Sequence, residues 1–355
     1  MNMKKLLAAA LSLFAVTTAQ AADEFHLYNW NNYLADETIL RFQDYCKCKL
    51  VQTNYADNEE MLAKLAAGAS GYDMIVPTGN ALEPLIKQDF LKPLDKAQLP
   101  NLKNMNPAYL NTEFDKGNKY SVPYAYTITM LGYNDAKMKE LGITVDSWAV
   151  IFDPAILAKI KGKVTVLDSA NELMAAALKY KGYSANDTDE KHWAEAKDVI
   201  MKAKPYWAAF NGSSYIKELT VGNIWVAHGY SNDIYQANVD AQAAKRPFHI
   251  LHGMPKEGAV LALDNMVIPK SAPRPDLALK FMNFMMDGKN ASDLTNMMGS
   301  GNPNLEAAKF IKPDIIKNGA IFPDKAGMSK LEMLRDLDSK KRRLRTKIWT
   351  EIKAS

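Results

Sequence analysis

The amino-acid sequence predicts an α/β protein built as two lobes. Three observations carry this. Residues 25–76 alternate short apolar and aromatic runs with amphipathic stretches of helical length, and the same alternation starts again near Trp148. Setting aside an export signal of 22 residues leaves 333 of the 355, enough for two domains that each bury a core of their own.

The first block reads as a strand at 25–30, a helix at 36–45, a strand at 49–55, a helix at 59–67 and a strand at 72–76, a βαβαβ unit. Asp57 stands three residues ahead of Glu60, the spacing of a capping box, and Gly68 marks the end of that second helix. The second block has a strand at 163–167, a helix at 171–179 and a strand at 223–227. A later strand at 265–268 precedes a helix at 276–287, in which Leu277, Phe281 and Phe284 share one face and Gly288 marks the end. The chain shows no internal repeat and no low-complexity segment. Two α/β lobes joined by extended crossings are the simplest arrangement.

Lys4 and Lys5, the apolar residues 6–16, and the small residues around Ala19 and Ala21 form a secretory signal, with cleavage expected after Ala21 or Ala22. The apolar run is shorter than the roughly 18 to 20 residues that span a bilayer, and no comparable run follows. No cysteine stands at the cleavage site to carry a lipid anchor, so a freely moving periplasmic protein of a Gram-negative cell is expected. The formal charge of +4 includes Lys4 and Lys5, so the mature chain carries about +2, too little to imply nucleic-acid binding. The basic run Lys340, Lys341, Arg342, Arg343, Arg345 and Lys347 lies in a helical pattern with Leu344, Ile348 and Ile352 opposite, and reads as a solvated helix face. Cys46 and Cys48 flank Lys47; an oxidising compartment allows them to pair in a tight ring, and two free thiols are the alternative.

Open α/β sheets bind ligands at the carboxyl ends of their strands. There the first block places Trp30, Asn31, Asn32 and Tyr33, then Thr78, Gly79 and Asn80. The second places Ser169 and Glu172 after one strand and Tyr230 and Asp233 after another, while Asp264 is read at the start of the strand that ends at Pro269. Each also has a structural reading: Ser169 with Glu172 as a capping box, Asp233 as the cap of a helix starting at Ile234, Trp30 and Tyr33 as core rings, Asp264 as a loop acid. What favours a site is that three acids and three rings fall at strand ends in both blocks. An aliphatic ammonium needs that mixture: apolar walls for its methylenes, carboxylates for its ends, and aromatic faces that add roughly 0.5 to 2 kcal/mol per cation.

The segments Tyr28-Asn29-Trp30 with Tyr33, Gly71-Tyr72-Asp73-Met74-Ile75-Val76-Pro77, Ser121-Val122-Pro123-Tyr124, Asp146-Ser147-Trp148-Ala149, Pro255-Lys256-Glu257-Gly258-Ala259 and Arg345-Thr346-Lys347-Ile348-Trp349-Thr350 follow one another along the mature chain. In these it resembles the periplasmic spermidine- and putrescine-binding proteins of ABC importers, above all the putrescine-binding branch. The resemblance implies a type II periplasmic binding fold with a hinge and an enclosed ligand, one lobe from 23–131 and 260–315 and the other from 132–259 and 316–355. It implies Trp30 and Tyr33 as ring walls, Thr78 in place of a ligand-contacting serine, Glu172, Asp233 and Asp264 as amine-binding acids, and Tyr230 where tryptophan is common. It also implies an inner-membrane ABC permease as partner, a monomer, and no cofactor or metal. Three positions depart from the pattern: Asn32 replaces an acid, Ala262 a bulky aromatic ring and Ser300 a tyrosine that closes the pocket. The ligand within the amine class is therefore left open.

An enzyme is the first rival reading, but the chain has no nucleophile elbow, phosphate loop, GxGxxG after a strand, or HExxH. His228 lies near Asp233 in sequence, and His249 and His252 fall on opposite faces of an extended segment. A receptor for an amino acid would use an arginine clamp, and none stands at a strand end; clustered tyrosines for ferric ion are not evident either. A sensor for amines fits the same residues as an importer subunit.

Overall fold

The computed structural model describes residues 23–55 and 58–355. The export signal over 1–22 and the cap assigned to Asp57 lie outside the described residues.

The first βαβαβ unit forms as expected, with β1 (Asp23–Trp30), α1 (Asp36–Cys46), β2 (Cys48–Tyr55), α2 (Asn58–Ala66), β3 (Met74–Ile75) and α3 (Gly79–Lys87). Cys46 and Cys48 are joined by a disulfide across the α1–β2 turn, and Lys47 between them adopts a left-handed conformation with φ of 56°. Of the two states open in the sequence, the structure has the bonded one.

β4 (Ser121–Asn134) runs into α4 (Asp135–Leu141) and the second block: β5 (Val164–Val166), α5 (Ala170–Tyr180), α6 (Glu190–Ala203), β6 (Ala209–Phe210), α7 (Tyr215–Val221), β7 (Val226–Tyr230) and α8 (Ser231–Ala243). The strand expected at 223–227 is displaced to Val226–Tyr230. His228 and Gly229 do not read as strand residues, but β4 pairs with both, and Gly229 leaves room for Tyr215, whose ring would stand 2.5 Å from an added Cβ. The chain returns through β8 (Ile250–Gly253) and β9 (Ala259–Val267), then α9 (Pro275–Met285), α10 (Gly288–Met298), β10 (Leu331–Glu332) and α11 (Ser339–Ala354). β9 is longer than the expected 265–268 because both its faces are buried and no alternation betrays it, so Asp264 lies inside a strand and not at its start. Gly288 opens α10 instead of closing the preceding helix: the Asp287 carboxylate caps the new helix by accepting from Lys289 N and Asn290 N.

Among the described residues the strands join one mixed sheet in the order β2-β1-β3-β9-β4-β7-β5-β6, with β8 beside β4 and β10 beside β9. β4 is its spine. Residues 121–129 pair antiparallel with β9, 129–133 with β7, and 131–134 with β8. The apolar cores divide along the same strand. Val122 and Ala125 pack with Phe25, Phe42, Met266 and Phe281, whereas Tyr126, Ile128 and Met130 pack with Trp148, Leu173, Val226 and Leu261. α11 closes the second core with Ile348 and Ile352; of its basic residues Lys340, Arg343 and Lys347 face solvent, while Arg345 is half-buried, so the run is only in part the solvated face expected. No helix among the described residues is long and apolar enough to cross a membrane.

Candidate functional site

Asp264 is the most enclosed of the candidate acids. Its carboxylate accepts hydrogen bonds from Tyr33 Oη and Thr78 Oγ1, each at 2.6 Å. Thr78 occupies the N-cap position of α3 yet caps nothing, because its hydroxyl is turned to Asp264 across an isolated antiparallel bridge. Burial pushes the Asp264 carboxyl up to about 6, and the two hydroxyls hold it from going higher. Tyr33 is in turn fixed by Tyr124, whose ring meets it edge-on at 5.7 Å and whose hydroxyl donates to Tyr33 O at 2.8 Å. Trp30 donates its indole N–H to Val76 O at 2.8 Å and packs on Tyr55 with ring centroids 4.6 Å apart.

The other two acids project from the second block. Ser169 Oγ accepts from Glu172 N at 3.4 Å and is the N-cap of α5, so Ser169 acts as a helix cap, which aims the Glu172 carboxyl inward. Glu172 is 8% exposed and its Oε2 has no partner. Burial pushes it up to about 7; Thr129, near but without hydrogen-bond geometry, offsets a part. Asp233 sits in the first turn of α8 and does not cap it, since the helix begins at Ser231 and Tyr230 holds the N-cap position. Its carboxylate instead accepts from Tyr215 Oη and, at 3.0 Å, from Asn232 Nδ2, and burial raises its pKa. Tyr230 ties the set together: its buried hydroxyl is raised first by desolvation and then by the fields of Glu172, Asp233, Glu59 and Asp264. The fields of four acids therefore reach one hydroxyl.

Asn32 and Ser300 are not tied into the hydrogen bonds of this cluster. Asn32 is exposed in a turn with φ of 54°, a left-handed conformation that asparagine tolerates, and Ser300 is fully buried with an unpartnered Oγ. Neither hydrogen-bonds to the residues above. Three contributors escaped the sequence pattern: Tyr215, Tyr124 and Asn232. Tyr215 and Tyr124 are buried and indistinguishable from core rings until their hydroxyls are seen to hold Asp233 and the Tyr33 backbone. Asn232, beside Asp233, was the one within reach of a search at strand ends.

The electrostatics have one sign. None of Glu172, Asp233 and Asp264 forms an ion pair among the described residues; Glu172 Oε2 and Asn232 Oδ1 are enclosed, unpartnered acceptors, and the one unpartnered hydroxyl beside Glu172 is that of Thr129. A ligand here must bring positive charge and hydrogen-bond donors. His228 adds no positive charge, because burial drives it down to about 3 and keeps it neutral. No group of three His, Cys, Asp or Glu side chains among the described residues converges to hold a metal ion.

Residues 42–323 match the family described as bacterial extracellular solute-binding protein. The chain belongs to that family. Among related solute-binding proteins, the putrescine/cadaverine-binding protein of Pseudomonas aeruginosa is 57% identical over 351 residues, 99% of each chain. The putrescine-binding periplasmic protein PotF of Escherichia coli is 33% identical over 98% of this chain and 96% of its own. The solved spermidine/putrescine substrate-binding protein PotD of Streptococcus pneumoniae superposes with a TM-score of 0.84 at 26% identity, covering 94% of this chain and 99% of that one. The two-lobed type II periplasmic binding fold is thus this solute-binding protein's fold, as the sequence led one to expect.

Proposed function

We propose that this solute-binding protein captures small aliphatic diamines, of which putrescine and cadaverine are the type, and delivers them to an ABC importer in the inner membrane. The observation that carries the reading is the trio Glu172, Asp233 and Asp264, enclosed and without a counter-cation among the described residues. Two ammonium ends would offset two of those three charges, and Trp30, Tyr33 and Tyr230 would wall the methylenes between them. The names of the relatives support the same class of ligand.

The rest of the reading follows from this role. The protein works as a binding protein without catalysis, exported through residues 1–22 to the periplasm, as a monomer that meets the permease complex and no nucleic acid. The lobes are 23–131 with 260–315 and 132–259 with 316–355, joined through β4 and β9. Ser300, Asn32 and Thr78 complete the ligand-facing set, and no metal or cofactor takes part.

A thermal-shift screen of the mature protein tests the reading. A ligand at a hundredfold excess over its dissociation constant stabilises by about 2.7 kcal/mol. Putrescine and cadaverine should raise the melting temperature clearly, while amino acids and sugars leave it in place. A response to a neutral sugar or an α-amino acid with none to diamines sinks the proposal.

A further inference from the structure

Beside the cluster of acids lies a cavity of about 410 Å³, enclosed by α2 and α3 on one side and by α5, α11 and residues 334–337 on the other. It adjoins the amine site through three links. Asn171 precedes Glu172 on α5, Asn80 stands two residues beyond Thr78, and Asn58 Oδ1 accepts from Thr78 N at 3.2 Å. Two arginines enter it from α11. Arg342 is satisfied by Asp336 at 2.8 Å. Arg345, half-buried, makes no ion pair or hydrogen bond among the described residues, and the acid whose field it feels most is Glu59 on α2. Glu59 lines the same cavity as Arg345, and its field also reaches Tyr230.

We propose that Arg345 sets the length of amine the protein accepts: its fixed cation answers Glu59 in the chamber where the third ammonium of a triamine would sit, so diamines enter and triamines are turned away. Space does not do this, since a cavity of about 410 Å³ has room for an aminopropyl arm. Charge does. A guanidinium stays protonated at any pH the protein meets, and a second cation brought beside it in a partly desolvated chamber is repelled by it and must share the field of Glu59. The enclosed, unpartnered amide oxygens of Asn80 and Asn171 in the same chamber are acceptors waiting for a donor, which a third ammonium would provide once Arg345 is gone.

This inference rests on the reading of the cleft as a diamine site, and calorimetry with putrescine, cadaverine and spermidine separates the two. Arg345→Gln should bind spermidine roughly tenfold tighter than the wild type, with putrescine and cadaverine held within about twofold. Arg345→Lys should keep the wild-type preference, and adding Glu59→Gln to Arg345→Gln should abolish the gain. Should Arg345→Gln fail to fold, the single Glu59→Gln carries the test: the affinity for spermidine relative to cadaverine then drops further, and an unchanged ratio overturns the inference. It is equally overturned if Arg345→Gln leaves spermidine unchanged, if all three amines shift together, or if the wild type holds spermidine as tightly as cadaverine. A wild type that binds no diamine refutes the proposed function instead.

Discussion

Replacing Asp264 by Asn removes one charge from the amine site and almost no volume. The structure sets two opposite expectations for this single change. Asp264 is buried against Tyr33 and Thr78 with no cation among the described residues, and its carboxyl is lifted from the ordinary 3.8 to about 6. At about 1.4 kcal/mol per tenfold change, keeping it ionised costs the ligand-free fold about 3 kcal/mol above pH 6. The asparagine can still accept from one hydroxyl while the other rotates to accept from its amide, so Asp264→Asn should melt no lower than the wild type at pH 7.5 without ligand. Binding moves the other way. The carboxylate is the partner of an ammonium, and removing one member of a buried pair costs roughly 3 to 5 kcal/mol, a loss of at least two orders of magnitude in affinity. Titration calorimetry with cadaverine or putrescine, beside a melting curve of each free protein, reads both quantities. Near-wild-type affinity with a lowered melting temperature would refute the reasoning and make Asp264 a structural acid.

Other consequences follow from the same geometry. Burial raises Glu172 to about 7 and Asp264 to about 6, so the ligand-free protein holds extra protons there, and its stability should fall as pH rises from about 4 to 7. Bound ammonium favours the ionised acids, so diamine affinity should weaken as pH falls below about 7, with proton release on binding; calorimetry in two buffers of different ionisation enthalpy checks this, and affinity that is flat from pH 8 to 5.5 contradicts it. Tyr215→Phe deletes the hydroxyl that donates to Asp233 and accepts from Tyr230 N at 3.1 Å, and should cost roughly 1 to 3 kcal/mol of stability together with several-fold in affinity. Asn32→Asp restores an acid to the exposed turn after β1 and should tighten diamine binding; calorimetry showing no change would remove Asn32 from the ligand's surroundings. Small-angle scattering should report a more compact particle with saturating cadaverine, since the acids come from both blocks, and coincident profiles would rule out hinge closure.

The sequence was readable where local rules dominate. The βαβαβ unit carries its own periodicity, and its expected elements match the observed ones to within a residue or two. β9 was half hidden because burial on both faces erases the alternation that marks a strand, and β7 was displaced because His228 and Gly229 owe their place to cross-strand pairing with β4. The acids were found from the rule that ligands gather at strand ends, although Asp264 obeys a different geometry, in the body of an antiparallel strand opposite Ala125. Tyr215 and Tyr124 stayed invisible because a tyrosine's role depends on where its hydroxyl points, which no spacing encodes. The disulfide between Cys46 and Cys48 was undecidable for a similar reason: it depends on a left-handed Lys47, a backbone state its own side chain does not announce.

β4 serves both blocks at one residue. Thr129 has Val260 of β9 on one edge and Tyr230 of β7 on the other, and one position earlier Ile128 N donates to Ser231 Oγ at 3.1 Å. With both edges occupied, the crossing has no plane along which one lobe can slide past the other. The lobes can approach only by flexing a continuous hydrogen-bonded ribbon, and such a ribbon behaves as a leaf spring: its angle varies smoothly and it recoils without help. On the proposed reading the ligand's charge would hold the jaws shut, and unloading would require no more than a partner that relaxes the grip of the acids on one ammonium.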